Sequence, residues 1–268
     1  FDPVIRQMHF VLILSFFGLA LTGMALKFSY MGWAQGLSRS LGGFYTMGVI
    51  HRTCAVAMFV VFIVHLAYVV HRKRETGATW KQMLLGSGSL LPAWHDVREF
   101  VATVKWFRGK GPRPAYGEWT YWEKFDYFAV FWGVAIIGST GLMLWFPEQF
   151  TLLLPGWLIN VATIIHSDEA LLAVGFIFTI HFFNTHFRPE KFPMDMAMFT
   201  GLVSEEELKE ERPRYYEELA ASGELEKRIA PESPKEFRFW AAIFGTFALI
   251  VGFSLVGFIV WSMVFGYK

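Results

Sequence analysis

Residues 157–187 read WLINVATIIHSDEALLAVGFIFTIHFFNTHF, an apolar run that contains three histidines and is long enough to cross a bilayer. A helix of about 20 apolar residues spans the ~30 Å of hydrocarbon. Of the 268 residues, 54% are hydrophobic and 18% aromatic, more than a soluble domain needs to hide. Four further apolar runs lie at residues 8–28, 44–71, 125–146 and 239–265. The sequence therefore predicts an all-α integral membrane protein with five transmembrane helices.

The distribution of Lys and Arg predicts how these helices are oriented. Residues 72–124 contain ten of them and residues 188–238 contain nine, whereas residues 29–43 and 147–156 contain only Arg39. By the positive-inside rule, the N-terminus and both long loops face the cytoplasm, and the C-terminus lies outside the inner membrane. The first apolar run lacks a basic start and a cleavage site, so we expect a span and not a signal peptide.

Net charge and cysteine content exclude several function classes. The formal net charge of +1 gives no reason to expect a nucleic-acid partner. Cys54 is the only cysteine, which excludes an intrachain disulfide framework, a cysteine-ligated iron–sulfur cluster and the covalent attachment of c-type haem. Any haem in this chain would have to be held without a covalent link.

The two long loops differ in character. Residues 92–109 place apolar side chains at helical spacing between basic ones, which predicts a helix on the inner membrane surface. Residues 204–238 are strongly charged, and we expect a solvated, helix-rich tether there. The predicted organisation is a four-helix membrane bundle with the surface helix (1–203), a charged cytoplasmic segment (204–238) and a fifth transmembrane helix (239–268).

Histidines inside the predicted spans require an explanation, because ionisable groups are costly in hydrocarbon. His51 and His65 are 14 residues apart on the second helix, and His166 and His181 are 15 apart on the fourth. At about 100° and ~1.5 Å per residue, each pair stays within roughly 40–60° of one face and extends about 21–22 Å. One histidine of each pair is therefore expected near either membrane surface. His9 begins the first helix, at the inner level.

Imidazoles that face one another across a helix bundle can ligate a six-coordinate haem iron from both sides. We expect His51 to face His166 at the outer level. At the inner level, His181 faces either His9 or His65. The other histidine would bond a haem propionate or a quinone, or belong to a third haem. The expected cofactor is thus two or three b-type haems, since a structural zinc site needs four ligands close together.

Charged residues follow the two outer histidines along the chain. Arg52 comes directly after His51, and Asp168 and Glu169 come shortly after His166. Unpaired charges inside the boundary of a span would be expensive. We therefore expect Arg52 to pair with Asp168, Glu169 or a haem propionate.

Other charged groups lie at the inner ends of the predicted helices. Glu123, Lys124 and Asp126 lie at the inner end of the third helix, where a carboxylate could relay the protons that quinone reduction consumes. The alternative is an interfacial belt with snorkelling charges. His71 and His186, at the ends of the second and fourth helices, are expected to contact lipid headgroups.

The outer loops, residues 30–37 and 150–157, are apolar and almost uncharged. Exposed apolar surface of this kind usually marks a contact with another protein. A redox protein outside the membrane is the expected partner, and a lipid-facing cap is the alternative.

Several short motifs resemble the cytochrome b (gamma) subunit of respiratory formate dehydrogenase, and more widely the cytochrome b subunits of membrane-bound nickel–iron hydrogenases. They are RQMHF at 6–10, SFFGLALTG at 15–23, Ile50-His51, Ile165-His166 with His181, TGLVS at 200–204 and RPRYYE at 212–217. The resemblance covers roughly residues 5–220. It implies that His51 and His166 ligate the outer haem, that His9 and His181 ligate the inner haem, and that a menaquinone-type site lies beside the inner haem. Differences from that subunit are the fifth helix, a spacing one residue longer on the fourth helix, and the presence of His65.

From these patterns we expect the metal-binding electron-transfer subunit of a quinone-linked oxidoreductase complex in a respiratory chain. Electrons would pass between an extracytoplasmic iron–sulfur subunit or multihaem cytochrome c and a pool of menaquinone or ubiquinone. Two alternatives remain open at this point. One is a self-contained transmembrane haem reductase of a small extracytoplasmic substrate. The other is a haem-free transporter that relays protons through histidines.

Overall fold

The computed structural model describes residues 1–86, 88–189 and 191–266. In these residues it contains helices and no strand. The α-helices are α1 Pro3–Lys27, α2 Gly32–Ser40, α3 Phe44–Thr76, α4 Trp80–Leu85, α5 Trp94–Phe107, α6 Tyr121–Gly133, α7 Ser139–Trp145, α8 Pro147–Thr151, α9 Trp157–Phe176, α10 Ala197–Thr200, α11 Glu205–Glu211, α12 Pro213–Ser222, α13 Glu224–Lys227 and α14 Lys235–Phe265. Three π-helical segments continue them, π1 Val134–Gly138, π2 Ile177–His181 and π3 Phe183–Phe187.

Five helical stretches of the described residues are long and apolar enough to cross a membrane. We number them spans 1 to 5 in the order Pro3–Lys27, Phe44–Thr76, Tyr121–Trp145, Trp157–Phe187 and Lys235–Phe265. The predicted all-α, five-span, multi-pass membrane fold is therefore confirmed. The bounds of span 4 are those predicted, whereas span 3 begins four residues earlier than expected, at Tyr121. Glu123 and Lys124 consequently belong to its first turn.

Contacts divide the chain into two compact units, which we describe separately. The membrane unit comprises Asp2–Leu66, Trp132–Asp195 and Phe239–Lys268. The loop unit comprises Phe1, Ala67–Phe131 and Met196–Arg238.

The core of the membrane unit is formed by spans 1, 4 and 5. Its buried members are Ala20, Met24, Phe28, Val174, Phe178, Phe182, Leu255 and Ile259. Gly252 of span 5 lies against this core, because a Cβ there would come within 2.7 Å of the Phe182 ring and 2.8 Å of the Phe178 ring. Small residues allow helices to pack closely where hydrocarbon gives no hydrophobic driving force. The fifth span is therefore packed against the unit and is more than an appended anchor.

The loop unit is held together by polar contacts between the two charged loops. Arg214 of α12 bonds Glu99 of α5 at 3.1 Å, and Arg113 pairs with Glu210 of α11 at 3.5 Å. Ser204 caps α11 by accepting a bond from the backbone N–H of Glu207 at 3.1 Å. The segment expected to be a solvated tether thus folds against the first long loop.

Candidate functional site

The imidazoles of His51 on span 2 and His166 on span 4 are neighbours in the membrane unit, with ring centroids 6.2 Å apart and ring planes at 72° to each other. Two imidazoles that bind one metal ion from opposite sides have ring centres roughly 6 Å apart. This follows because each metal–nitrogen bond is about 2 Å and each nitrogen lies about 1 Å from its ring centre. The observed separation fits bis-histidine ligation of a haem iron.

Hydrogen bonds fix which ring nitrogen of each histidine is available. His166 Nδ1 lies 2.9 Å from the Ile137 carbonyl oxygen, which can only accept, so Nδ1 carries the proton. His51 Nδ1 lies 2.9 Å from Thr22 Oγ1, and the Thr22 hydroxyl already donates to the Gly18 carbonyl at 2.5 Å. The threonine oxygen therefore accepts from His51. Both Nε2 atoms keep their lone pairs, which is the state that a metal ligand requires.

A glycine of a neighbouring span packs against each imidazole ring. A Cβ at Gly23 of span 1 would lie 3.1 Å from His51 Cε1, and one at Gly141 of span 3 would lie 3.0 Å from His166 Cε1. Any side chain at either position would press on the ring and displace it. At Gly175 of span 4, by contrast, a Cβ would meet no atom within 4 Å. The donor set, the seated rings and this open position together fit a flat macrocycle bound between the spans.

The acceptor for His166 lies in a π-helical segment. Ile137 belongs to π1, where the helical hydrogen bonds shift from i→i+4 to i→i+5. Such a shift leaves a carbonyl accessible to an outside donor, and here it receives His166 Nδ1 and, at 3.1 Å, the Thr140 hydroxyl. This contact was not predicted, because π segments have no strong sequence signal.

A second π segment explains the spacing of the histidines on span 4. His166 and His181 are 15 residues apart, and π2 lies between them and ends at His181. A π turn takes up about one residue more than an α turn. The 15 residues between His166 and His181 therefore rise along the helix axis about as far as 14 residues of α-helix. Fourteen residues is the spacing of His51 and His65 on span 2.

At the other end of span 4, three imidazoles gather in the membrane unit. His9 of span 1 interacts electrostatically with both His181 and His186, and His186 also interacts with His181. His9, which competes with His65 for the fourth ligand position, therefore lies within electrostatic range of His181. His65 is half-buried on span 2, and its role stays a prediction.

His186 is not placed as the sequence suggested. It was expected to contact lipid headgroups, but its Nδ1 is buried and has no hydrogen-bond partner among the described residues. Its ring packs edge-on against Phe182, with centroids 5.8 Å apart. Five residues make about 1.4 turns of α-helix but only slightly more than one turn of π-helix, so π2 and π3 bring His181 and His186 onto neighbouring faces.

The charged groups at the outer level pair differently from the prediction. Asp168 Oδ1 accepts a bond from Lys27 Nζ at 2.8 Å, and Trp132 Nε1 donates to Glu169 at 3.4 Å. Among the described residues Arg52 forms no ion pair with either carboxylate, so of its expected partners the haem propionate stays a prediction. Instead, the Arg52 guanidinium lies 5.7 Å from the centre of the Trp145 ring. Lys27 is the last residue of span 1. It was not predicted as the partner of Asp168, although span 1 ends beside that carboxylate.

In the loop unit, the start of span 3 is tied down by ion pairs. Lys124 is 1% exposed, and its Nζ lies 3.0 Å from Asp96 Oδ1 and 3.0 Å from His95 Nε2. Glu123 pairs with Arg212 at 2.6 Å. Lys124 is therefore not a snorkelling side chain, and that alternative is wrong for it. Asp126 is half-buried, and its Oδ1 atom is shielded from solvent.

Glu118 lies in the segment that leads to Glu123 and has a perturbed pKa. Burial raises the pKa of Glu118, and the Tyr215 hydroxyl and the nearby Arg228 and Arg212 partly oppose this shift. The Arg212 guanidinium also donates to the Glu118 carbonyl. Arg212 thus connects the second charged loop to the residues that lead into span 3.

Comparison with known proteins gives two matches that bear on this site. A family model described as prokaryotic cytochrome b561 matches residues 1–86. The cytochrome b556 subunit of nitrate-inducible formate dehydrogenase from Escherichia coli is 20% identical over 215 residues, which cover 80% of this chain and 88% of that protein. The corresponding subunit from Shigella flexneri gives the same values. These similarities confirm the predicted resemblance to membrane-bound cytochrome b subunits, and they support a multi-pass membrane cytochrome b that takes part in electron transfer.

Proposed function

We propose that this chain is the haem-carrying electron-transfer subunit of a quinone-linked respiratory oxidoreductase. The observation that carries the proposal is the His51–His166 pair, with a 6.2 Å centroid separation and both Nδ1 atoms engaged. A bound b haem would supply reversible one-electron chemistry without an open coordination position. The side chains that hold the haem would orient it, and the groups around it would balance its charge.

At the outer level, His51 and His166 would hold one haem. Thr22 and the Ile137 carbonyl keep the two imidazoles in the required tautomer and orientation. Arg52 is the proposed counter-charge for a haem propionate, since Lys27 neutralises Asp168. An arginine presents a rigid fork that suits a carboxylate.

At the inner level, His9 and His181 would hold the second haem, roughly 21 Å of helix from the first. His65 is the proposed alternative ligand, or a ligand of a third haem. We propose a menaquinone or ubiquinone site with Glu123, Lys124 and Asp126 of the loop unit at its entrance. Because Glu123 and Lys124 are held in ion pairs, they would position the start of span 3, and Asp126 would relay protons.

The proposed location is the inner membrane, with the N-terminus in the cytoplasm and the C-terminus outside. The basic residues support this orientation, because they concentrate in the two long loops. Formate dehydrogenase is the complex named for the matching relatives. We propose an analogous extracytoplasmic partner, an iron–sulfur subunit or a multihaem cytochrome c, which would cover the exposed Tyr45, Leu152 and Leu153.

A reduced-minus-oxidised spectrum of the purified chain, with a pyridine haemochrome count, tests the proposal. We expect a b-type α-band in the approximate range 555–565 nm and about two haems per chain. Absence of the band would reject haem ligation and would favour the alternative of a haem-free transporter that relays protons through histidines. Turnover of a ferric chelate by the isolated chain would instead favour a self-contained reductase.

A further inference from the structure

Helix α5 of the loop unit turns its apolar side outward. Asp96 and Thr103 are buried at 6% and 3% exposure, whereas Trp94 and Phe107 are 71% and 75% exposed. The other exposed apolar residues of this helix are Val97, Phe100, Val101 and Val104. They recur every three or four residues and so form one stripe along the helix. The helix therefore buries Asp96 and Thr103 and presents its apolar stripe, while Arg98 and Lys105 are also exposed.

Polar contacts fix which side of helix α5 faces outward. Asp96 accepts a bond from the Ala93 backbone at 2.6 Å and pairs with the buried Lys124. The Thr103 hydroxyl lies 2.6 Å from the Tyr116 hydroxyl. Buried polar groups that lost these partners would incur a large desolvation cost. The outward orientation of the stripe is thus fixed, and something apolar must cover it.

Cations collect at the C-terminal end of the same stripe. A cavity of about 380 Å³ is lined by Phe100, Val101, Val104, Lys105, Arg108 and Lys110. Three of these side chains are apolar, three are basic, and none is acidic. Cations are also favoured at the C-terminus of a helix by its dipole.

The backbone brings these cations together. Gly109 has a φ of +65°, a left-handed conformation that favours glycine. The chain reverses there, and the Lys110 N–H donates to the Lys105 carbonyl at 2.8 Å, while the Gly109 N–H donates to Trp106 at 2.9 Å. This is the hydrogen-bond pattern of a Schellman end. It returns Lys110 to the side of Lys105.

We propose that this cavity binds one anionic phospholipid. Its phosphate would lie among Lys105, Arg108 and Lys110, and an acyl chain would lie along Phe100, Val101 and Val104. A phosphate bonded by an arginine fork and an acyl chain on an apolar stripe match the two halves of the cavity. The proposal rests on the cytoplasmic orientation of this loop and is independent of the haems.

The test uses the purified, haem-loaded chain in detergent, titrated with phosphatidylglycerol or with phosphatidylcholine of the same acyl chains. Binding is followed by native mass spectrometry. We expect phosphatidylglycerol to be retained at least tenfold better than phosphatidylcholine. Inorganic phosphate at millimolar concentration should not displace it, because it lacks the acyl chain. Equal retention of the two lipids, or full displacement by phosphate, would overturn the proposal.

Two triple variants sharpen the result. Lys105→Gln, Arg108→Gln and Lys110→Gln together should weaken phosphatidylglycerol binding roughly hundredfold, at about one factor of five per charge. The matched control, Arg72→Gln, Lys73→Gln and Arg74→Gln, removes the same charge elsewhere in the loop unit and should change binding less than threefold. Equal weakening by both triples would contradict a defined site. The haem spectrum is read in every sample, so a failed lipid site is distinguished from a failed haem assignment.

Discussion

The outer and inner groups of imidazoles in the membrane unit are built differently. At the outer level there are two rings, His51 and His166, and each has its Nδ1 bonded and a glycine behind it. At the inner level there are three, His9, His181 and His186, and the Nδ1 of His186 is buried without a hydrogen-bond partner among the described residues. The His51–His166 pair is therefore supported at both rings, as the proposed ligation of a haem requires.

The difference indicates a division of roles. A six-coordinate haem iron needs two imidazoles, and the outer level supplies two in a fixed geometry. The inner level supplies one more than ligation requires. We infer that the third imidazole serves the reaction beside the inner haem, where protons accompany electrons to a quinone. Four experiments break or sharpen this comparison.

Removal of an outer ligand should have the largest effect. His51→Ala or His166→Ala should abolish binding of the outer haem and leave about half of the haem per chain, because one imidazole alone does not hold the group in place. The pyridine haemochrome assay measures this loss. His71→Ala is the control, since His71 is exposed and pairs with Glu75. Full haem content in both outer variants would disprove the pairing.

The inner fourth ligand is decided by two single variants. His9→Ala should lose the inner haem, because His9 lies within electrostatic range of His181. His65→Ala should keep both haems. Low-temperature difference spectra, in which the two haems give separate α-bands, measure which one is lost. The reverse outcome would make His65 the ligand and His9 the accessory group.

The third inner imidazole should be dispensable for haem binding. His186→Gln is expected to keep both haems and to slow quinol-dependent reduction of the inner haem by about tenfold or more, because a proton-transferring side chain is removed. Stopped-flow reduction with a quinol analogue measures the rate. Loss of one haem would instead show that His186 is itself a ligand, and an unchanged rate would remove it from the reaction.

The smallest expected effect concerns the hydrogen bond to His51. Thr22→Val removes the hydroxyl that accepts the hydrogen bond from His51 Nδ1. The imidazole should then donate less electron density to the iron, which raises the midpoint potential of the outer haem. A bond worth about 1 kcal/mol corresponds to about 40 mV for one electron. Thr22→Ser should restore the original potential. Thr163→Val, which removes only a hydroxyl bonded to its own helix, should have no effect. A downward shift would contradict the inferred proton position.

Much of the fold was predictable from hydropathy, because long apolar runs have few ways to satisfy their backbone in a membrane. The bounds of span 4 were predicted correctly, and His51 and His166 were placed together from their spacing and the predicted directions of their helices. The π segments were not predictable, since their geometry arises from packing between helices. For that reason His186 was misplaced, as an α-helix would direct it away from His181.

The ion pairs show the same limit of sequence reasoning. Arg52 follows His51 directly, which suggested a pair with Asp168, but the partner of Asp168 is Lys27, 141 residues earlier in the chain. Lys124 was assigned to the membrane edge, yet its partners Asp96 and His95 belong to a different helix. Charge pairing between distant segments depends on tertiary contacts, which no local pattern contains.

The acceptor that orients His166 is a main-chain oxygen, that of Ile137. A mutational scan that exchanges one side chain at a time leaves this oxygen in place, so position 137 would score as tolerant although its carbonyl orients the His166 imidazole. Only an insertion or a deletion in the chain would displace the Ile137 carbonyl oxygen. Deletion of one residue within Val134–Gly138 would convert the π segment to an ordinary α turn. Insertion and deletion libraries, more than substitution libraries, should therefore reveal how this protein sets the geometry of its outer ligands.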